Sequence, residues 1–269
     1  MKSLLVLAAL ALVACSRKTE HQPIVERATH IEAQAKTPPK APAIPIAATT
    51  TQLVTAVADE WDSTTATMRL WHREPGGDWQ PIGAAWPAVI GANGAAWGIG
   101  LHGDAPPSGH SGPKKLEGDK KSPAGSFLLG PSYGYASAPP KGTKLPYLPT
   151  DDAVKCVDDP GSLHYATIIN QTGIQLDWHS AENMRRADPL YTWVIDVAHN
   201  PSRVPGEGSC IFLHVWKDEQ SPTVGCTAMA EPQLKSLLAQ LDPAQVPTFV
   251  LLPKREYSSL AAAWGLPPL

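Results

Sequence analysis

The sequence predicts a mostly β fold, and three observations carry that prediction. Residues 67–73 and 79–82 alternate between polar and apolar side chains on either side of a Pro-Gly-Gly-Asp turn, which is the pattern of a β-hairpin. Residues 210–216 are almost entirely apolar, as expected of a strand that is buried on both faces. The 269 residues also include 28 Pro and 21 Gly, so many turns between short strands are expected.

Further elements are predicted in chain order from the same kinds of pattern. Strands are expected at 86–90, 126–130, 164–170, 174–178, 191–197 and 248–252. The Gly- and Pro-rich stretch 102–122 is expected to be a loop. One helix is predicted between Pro232, a good first helical residue, and Asp242, with leucines spaced along one face. Residues 51–269 are therefore interpreted as one domain that is mostly β with a few short helices.

The N-terminus has the composition of a targeting segment rather than of a folded element. Lys2 precedes an apolar run over residues 4–13, which is too short to span a bilayer as a helix. The run ends in Leu-Val-Ala-Cys and resembles a bacterial lipobox, in which cleavage before the cysteine leaves a lipidated N-terminal Cys15. The sequence thus predicts a signal peptide at 1–14. An ordinary signal peptide with an incidental Cys15 is the alternative.

The residues that follow the predicted lipidation site indicate where the protein would lie. Ser16 after the cysteine resembles the sorting rule of enterobacterial lipoproteins and favours the outer membrane, facing the periplasm. Residues 15–50 combine the lipid anchor with a Pro- and Ala-rich linker that has no apolar period. The net charge of −3 and the pI of about 6.3 argue against a nucleic-acid binder.

The four cysteines of the chain divide unevenly between roles. With Cys15 lipidated, Cys156, Cys210 and Cys226 remain in an oxidising compartment, where two can pair and one is left over. Cys156 and Cys210 border extended, partly apolar stretches, whereas Cys226 follows Gly225 in a turn-like context. We therefore predict a Cys156–Cys210 disulfide and a reactive Cys226. Two buried free thiols at 156 and 210 are the alternative.

Cys226 has candidate partners for nucleophilic catalysis nearby in the sequence. A cysteine nucleophile needs a base, and His214 lies twelve residues earlier on the predicted strand 210–216. Gly225 permits a sharp turn, and the backbone amides of residues 225–227 are candidate oxyanion donors. A helix starting directly after Cys226 would lower the pKa of its thiol. A structural cysteine and a hydrogen-bonded strand histidine are the alternative.

Two segments together resemble a known catalytic domain. Residues 211–214 and 221–226, Ile-Phe-Leu-His followed by Ser-Pro-Thr-Val-Gly-Cys, are similar to the L,D-transpeptidase catalytic domain of the YkuD type. Residues 121–127, Lys-Ser-Pro-Ala-Gly-Ser-Phe, resemble a second element of that family. The resemblance spans about 60–253. It implies a β-sandwich-like fold, with Cys226 as the nucleophile, His214 as the base, Thr223 as the Ser/Thr of the motif and Gly225 as its glycine.

The resemblance also implies a reaction and a substrate. In that family the cysteine forms a thioester with a peptidoglycan stem peptide, a terminal D-amino acid leaves, and an amine from another stem resolves the thioester. No metal and no organic cofactor take part. The chain departs from the common pattern at Val215, Val224 and Thr227, and its Cys-x-Ala-Met resembles a divergent branch that includes hydrolases. A hydrolase of the same fold and a non-catalytic lipoprotein that binds the cell wall are therefore the alternative functions.

Four further polar residues are candidates for substrate binding. Arg185 and Arg186 lie in a dense polar and aromatic stretch and are suited to hold a substrate carboxylate, although a solvated face is the alternative. His179 in the same stretch and His199 at the end of a predicted strand are candidates for lining the cleft. No pair of potential ligands has the spacing of a zinc site, so no metal is predicted.

Overall fold

The computed structural model describes residues 45–269. The predicted signal peptide, Cys15, Ser16 and most of the predicted linker lie outside these residues. Two α-helices are present in the described part, α1 (Glu231–Gln240) and α2 (Lys254–Trp264), and two short 3-10 turns lie at Pro189–Tyr191 and Pro243–Gln245. The strands are β1 (Gln52–Ala58), β2 (Thr65–His72), β3 (Gln80–Val89), β4 (Ala95–Trp97), β5 (Ser122–Gly134), β6 (Tyr147–Pro149), β7 (Val154–Val157), β8 (Thr167–Asn170), β9 (Ala181–Asn183), β10 (Trp193–Val197), β11 (Phe212–Val215), β12 (Thr227–Met229) and β13 (Thr248–Pro253).

The main sheet closes on itself. Its strands run in the order β10-β11-β12-β3-β2-β1-β13-β5, and β5 also pairs with β10. Most neighbours are antiparallel, but β1 pairs in parallel with β13 and β11 in parallel with β12. Closure removes the exposed edges that an open sheet would present. The prediction of a mostly β fold is confirmed.

The hydrophobic core is built largely on the strands of this closed sheet, with some strands buried on both faces. β13 is buried along its whole length, and β1 is buried at all but one position. β2 alternates between exposed and buried residues, as predicted from the hairpin pattern, and pairs with β3 from Thr65↔Val89 to His72↔Gln80. Large side chains such as Met68, Phe127 and Phe249 fill the interior.

Both helices follow from local sequence. α1 has Pro232 in its first turn and buries Leu234, Leu237 and Leu238, as the leucine spacing predicted. α2 was not predicted, and it ends at Gly265, which adopts the left-handed conformation that glycine favours at a helix C-terminus. None of the helices within 45–269 is long and apolar enough to cross a bilayer.

A second, three-stranded antiparallel sheet is formed by β8-β7-β9. The disulfide between Cys156 of β7 and Cys210 just before β11 ties this small sheet to the main sheet, with a Cα–Cα distance of 5.9 Å. The prediction of a strand at 174–178 is wrong. There the Asp177 carboxylate accepts hydrogen bonds from the Ser162 hydroxyl at 2.6 Å and the Leu163 amide at 2.8 Å, so side-chain bonds hold a loop in place of a strand ladder.

Residues 45–50, at the end of the predicted linker, contact the domain. Ile46 is buried in the main core, and the Arg73 guanidinium donates to the Thr50 and Ala47 carbonyls at 2.8 and 3.0 Å. The Ser126 hydroxyl donates to the Pro45 carbonyl. Residues 45–50 therefore pack against the domain ahead of β1.

Candidate active site

The parallel pair β11 and β12 brings His214 and Cys226 onto one face of the main sheet. Its register pairs Leu213 with Thr227 and His214 with Ala228, so Cys226, directly before β12, lies beside Phe212. Side chains two residues apart on a strand point to the same face. Cys226, Phe212 and His214 therefore share a face, while Leu213 and Thr227 point the other way.

The backbone at Cys226 is fixed by two hydroxyl groups. The Thr223 hydroxyl donates to the Cys226 carbonyl at 2.6 Å, and the Ser122 hydroxyl donates to the same oxygen at 2.7 Å. Ser122 also accepts a hydrogen bond from the Gly91 amide at 2.9 Å. Residues 121–127 and 221–226, which the sequence singled out separately, thus meet at one carbonyl oxygen.

Gly225 adopts a backbone conformation that other residues avoid. Its φ is 148°, and a Cβ at this position would lie 3.3 Å from the Lys121 carbonyl oxygen. The Gly225 amide donates to the Thr223 hydroxyl at 3.1 Å. One of the three amides expected to form an oxyanion hole is therefore already engaged inside the loop.

The Cys226 sulfur is enclosed by protein. The side chain is 3% exposed, its sulfur accepts from the Phe212 amide at 3.3 Å, and its thiol donates to the Cys210 carbonyl at 3.5 Å. Burial and then the negative charge of Glu182 raise the pKa of the thiol to about 12, although the Phe212 amide opposes this. Among the described cysteines, Cys226 alone is free.

The expectation that a helix N-terminus activates Cys226 is wrong. β12 follows Cys226 directly, and α1 begins only at Glu231. The influence of a helix dipole is confined to the first turn. The positive charge that does bear on the sulfur comes from the buried Lys115, whose ammonium lies 3.9 Å from the position of a Cβ on Gly225 and pairs with Asp119 at 2.5 Å.

His214 is held in a defined orientation. Its Nδ1 lies 2.7 Å from the Val215 carbonyl oxygen, and the Tyr191 ring packs edge-on against the imidazole with 5.1 Å between centroids. Burial lowers the pKa of His214 to about 4, so the imidazole is neutral at pH 7. A neutral imidazole with Nδ1–H donated to a carbonyl carries its lone pair on Nε2, and the Leu190 backbone also lies close enough to the ring to raise its pKa by hydrogen bonding. The orienting group that the sequence could not identify is thus the backbone of Val215.

Tyr191 and Glu182 complete the surroundings of the thiol, and sequence reasoning missed both. The Tyr191 hydroxyl donates to a Glu182 carboxylate oxygen at 2.7 Å, and it also lies close enough to Cys226 to lower the pKa of the thiol by hydrogen bonding. Burial raises the pKa of the Glu182 carboxyl. No local pattern distinguishes these two residues, because the contacts join separate segments of the chain.

The four candidates for substrate binding occupy different places. Arg186 forms a two-pronged ion pair with Asp188 at 2.7 and 2.8 Å and lies over the Tyr191 ring at 5.1 Å, next to the site. Arg185 turns toward Tyr135, and its guanidinium lies 5.1 Å from that ring. His179 lies on the exposed segment around 171–180, where only its backbone amide bonds Asp159.

His199 is a buried, hydrogen-bonded residue. One ring nitrogen accepts from the Ile99 amide at 3.3 Å and the other donates to the Glu207 carbonyl at 2.9 Å. Burial lowers the pKa of this imidazole to about 4. Both nitrogens are therefore engaged by backbone groups, and the ring faces Phe127 with 5.9 Å between centroids.

The small sheet and the 3-10 turn cover the thiol. Cys226 packs in one apolar cluster with Cys156 of β7, Met184 next to β9 and Tyr191 of the 3-10 turn. A substrate carbonyl can therefore reach the sulfur only if part of this cover moves aside. Within residues 45–269, no group of three or more His, Cys, Asp or Glu side chains is arranged to hold a metal ion.

Comparisons with known proteins leave the chain without an assigned family. No model of a protein family matches the sequence, and no curated protein is similar to it.

Proposed function

We propose that the protein is a cysteine acyltransferase acting on peptidoglycan stem peptides, similar to L,D-transpeptidases, and that it is held in the cell envelope by a lipid on Cys15. The observation that carries the proposal is the meeting of two motif segments at the Cys226 carbonyl, where Ser122 and Thr223 both donate hydrogen bonds. The oriented neutral His214 on the same sheet face supports it further.

The reaction begins with transfer of the Cys226 thiol proton to Nε2 of His214. The resulting thiolate attacks a peptide carbonyl, and the nitrogen of the leaving group takes the proton from His214 as the C–N bond breaks. An amine then attacks the thioester and loses a proton to His214, and the sulfur leaves as thiolate. No metal or organic cofactor is required by these steps.

Activation of the thiol is coupled to opening of its cover. In the closed arrangement the pKa of Cys226 is about 12 and that of His214 about 4, so proton transfer between them is strongly unfavourable. Burial causes most of both shifts, and it disfavours the charged form of each group. Displacement of the 3-10 turn and the small sheet would admit substrate and move both pKa values toward the range in which transfer is feasible.

Product analysis tests the proposal directly. The protein is incubated with purified muropeptides, and the products are separated and identified by mass spectrometry. Wild type should give cross-linked dimers or exchange of a terminal D-amino acid, while Cys226→Ala and His214→Ala should give neither. Thr227→Ser is a matched control that alters the motif without removing either reactive group. Identical profiles for wild type and Cys226→Ala would refute the enzymatic function.

The same assay distinguishes a hydrolase, because water and an amine compete for one thioester. Trimmed stems or released amides that disappear in Cys226→Ala would identify hydrolysis by the same nucleophile.

A non-catalytic wall-binding lipoprotein is favoured by one observation, the burial of a thiol whose pKa is raised to about 12. Alkylation with and without muropeptides separates the two functions. An enzyme should show faster labelling of Cys226 when substrate opens the cover, whereas a binding protein should show slow labelling under both conditions.

A further inference from the structure

A cavity of about 360 Å³ lies between the main sheet and the small sheet, and both cysteines of the disulfide line it. Its walls include Tyr133, Asp196, Arg203 and the disulfide cysteines Cys156 and Cys210. Its size falls at the lower end of the range of small-molecule sites, about 300–1,000 Å³. The reaction proposed above uses none of its polar side chains.

Asp196 supplies a half-buried carboxylate to this cavity. It lies on β10 opposite Phe212, on the sheet face that also carries Cys226. Among the described residues, no hydrogen bond or ion pair to its carboxylate is found. Burial raises the pKa of Asp196 to about 7, and burial together with this carboxylate raises the pKa of the neighbouring Tyr133 hydroxyl to about 12. A Cβ at Gly130 would lie 2.8 Å from the Asp196 carboxylate, so glycine there leaves it room.

Arg203, an exposed residue of the cavity wall, supplies the opposite charge. It lies on a loop that Asn200 holds by donating to the Val204 carbonyl at 2.9 Å and the Gly208 carbonyl at 3.1 Å. Within the part of the chain that the structure describes, the Arg203 guanidinium makes no ion pair, with Asp196 or with any other carboxylate. Residues of opposite charge thus belong to the wall of one cavity without forming an ion pair with each other.

The backbone around the cavity is strained. Non-glycine residues with positive φ are uncommon, and they cluster at functional sites because the surrounding structure must hold them there. Six such residues occur in residues 45–269, and four of them line this cavity: Ala166 (φ 56°), Asn200 (50°), Arg203 (53°) and Cys210 (54°). This concentration is expected for a preorganised binding site and unexpected for an incidental gap.

We propose that this cavity binds a zwitterionic amino-acid group, with its ammonium at Asp196 and Tyr133 and its carboxylate at Arg203. An α-amino acid carries both charges on one carbon, which matches two opposite charges that face one cavity without pairing. A bound ammonium would provide a partner for the half-buried Asp196 carboxylate, which has none among the described residues.

The cavity adjoins the reactive thiol. Cys210 forms part of its wall, and the Cys210 carbonyl lies 3.5 Å from the Cys226 sulfur. Asp196 and Cys226 are separated by the single strand β11, which places their backbones about 10 Å apart, twice the strand spacing. Under the proposed function, the zwitterion would be part of a substrate that also reaches Cys226. Binding at the cavity does not itself depend on that function.

Calorimetric titration at pH 8, where Asp196 is ionised, tests the proposal with three probes. Norleucine carries both charges, pentylamine only the ammonium and hexanoate only the carboxylate. Norleucine should bind at least about tenfold more tightly than either, because a hydrogen bond to a charged group contributes about 1.5–3 kcal/mol. Nε-acetyl-lysine, whose side chain is longer, tests whether the zwitterionic group comes from a free amino acid or from the end of a longer substrate. Tighter binding than norleucine indicates a zwitterion at the end of a longer substrate chain, and equal binding indicates a free amino acid.

Variants locate the binding. Asp196→Asn should weaken norleucine binding about tenfold or more and leave hexanoate binding unchanged. Arg203→Gln should likewise weaken norleucine binding about tenfold or more, but it should leave pentylamine binding unchanged. Arg255→Gln and Glu219→Gln, exposed and remote from the cavity, are the matched controls and should bind as wild type. Absence of norleucine binding, or equal affinity for all three probes, would overturn the proposal. Cys226→Ala should bind norleucine as tightly as wild type. Binding at the cavity can therefore be measured even if the proposed reaction of Cys226 does not occur.

Discussion

Removal of the Cys156–Cys210 disulfide should destabilise the protein by an amount that follows from the loop it closes. The two cysteines are 54 residues apart. In the chain-entropy treatment, a loop of that length corresponds to about 14 cal/mol/K, or about 4 kcal/mol at 25 °C. For a domain of this size, each kcal/mol lowers Tm by about 2–4 °C, so a decrease of about 8–16 °C is expected.

Urea unfolding of Cys156→Ala/Cys210→Ala beside wild type measures the free energy of unfolding. Wild type treated with a reductant should unfold at the midpoint of the double variant, and the reductant should not affect the double variant. Cys226→Ala controls for loss of a buried thiol that closes no loop. A decrease in the free energy of unfolding below about 1 kcal/mol would refute the reasoning, since residues 156–210 would then be held by packing rather than by the disulfide.

Three further predictions concern single side chains. Ser122→Ala should cost about 1–3 kcal/mol in urea unfolding, because it leaves the buried Gly91 amide without an acceptor; a cost below about 0.5 kcal/mol would contradict this role. Gly225→Ala should lower the rate of the Cys226-dependent reaction by more than its effect on Tm accounts for, since strain at φ 148° shifts the Cys226 carbonyl and sulfur. An unchanged rate would argue against the idea that the reaction depends on the exact conformation of this loop. Asp196→Asn should stabilise the protein at pH 8 but not at pH 4. The native carboxyl keeps its proton to about pH 7 while the unfolded one loses it near pH 3.8, so wild-type stability falls as the pH rises between these values. A pH-independent difference between Asp196→Asn and wild type in thermal unfolding would contradict that pKa.

The sequence was informative where structure depends on local patterns. The hairpin of β2 and β3, the buried strand β11 and the leucine face of α1 each follow from side-chain periodicity, which a short segment displays by itself. The proposal that Cys156 pairs with Cys210 rested on counting exported thiols, and these two residues are bonded in the structure. The placement of His214 and Cys226 on one face of the sheet required only a strand, a loop and a parallel return.

Features that depend on distant segments were not accessible from the sequence. Closure of the main sheet needs β5 to pair with both β10 and β13, and no local pattern encodes this double pairing. Tyr191 of the 3-10 turn and Glu182 of β9 come together near the thiol through tertiary contacts alone. The expected helix after Cys226 was displaced because residues 227–229 pair with β11 before α1 begins, so cross-strand bonding prevailed over the helical tendency.

The enclosure of Cys226 has a consequence for survival of the thiol in oxidising surroundings. Peroxides react with thiolates rather than thiols, and each oxidation step beyond the sulfenic acid is in practice irreversible. With a pKa of about 12, roughly one molecule in ten thousand carries the thiolate at pH 8 while the cover is closed. An oxidant therefore meets an inert side chain for most of the protein's lifetime. Under the proposed function, the cover that must open to admit substrate would also preserve the sulfur in its reduced form until it opens.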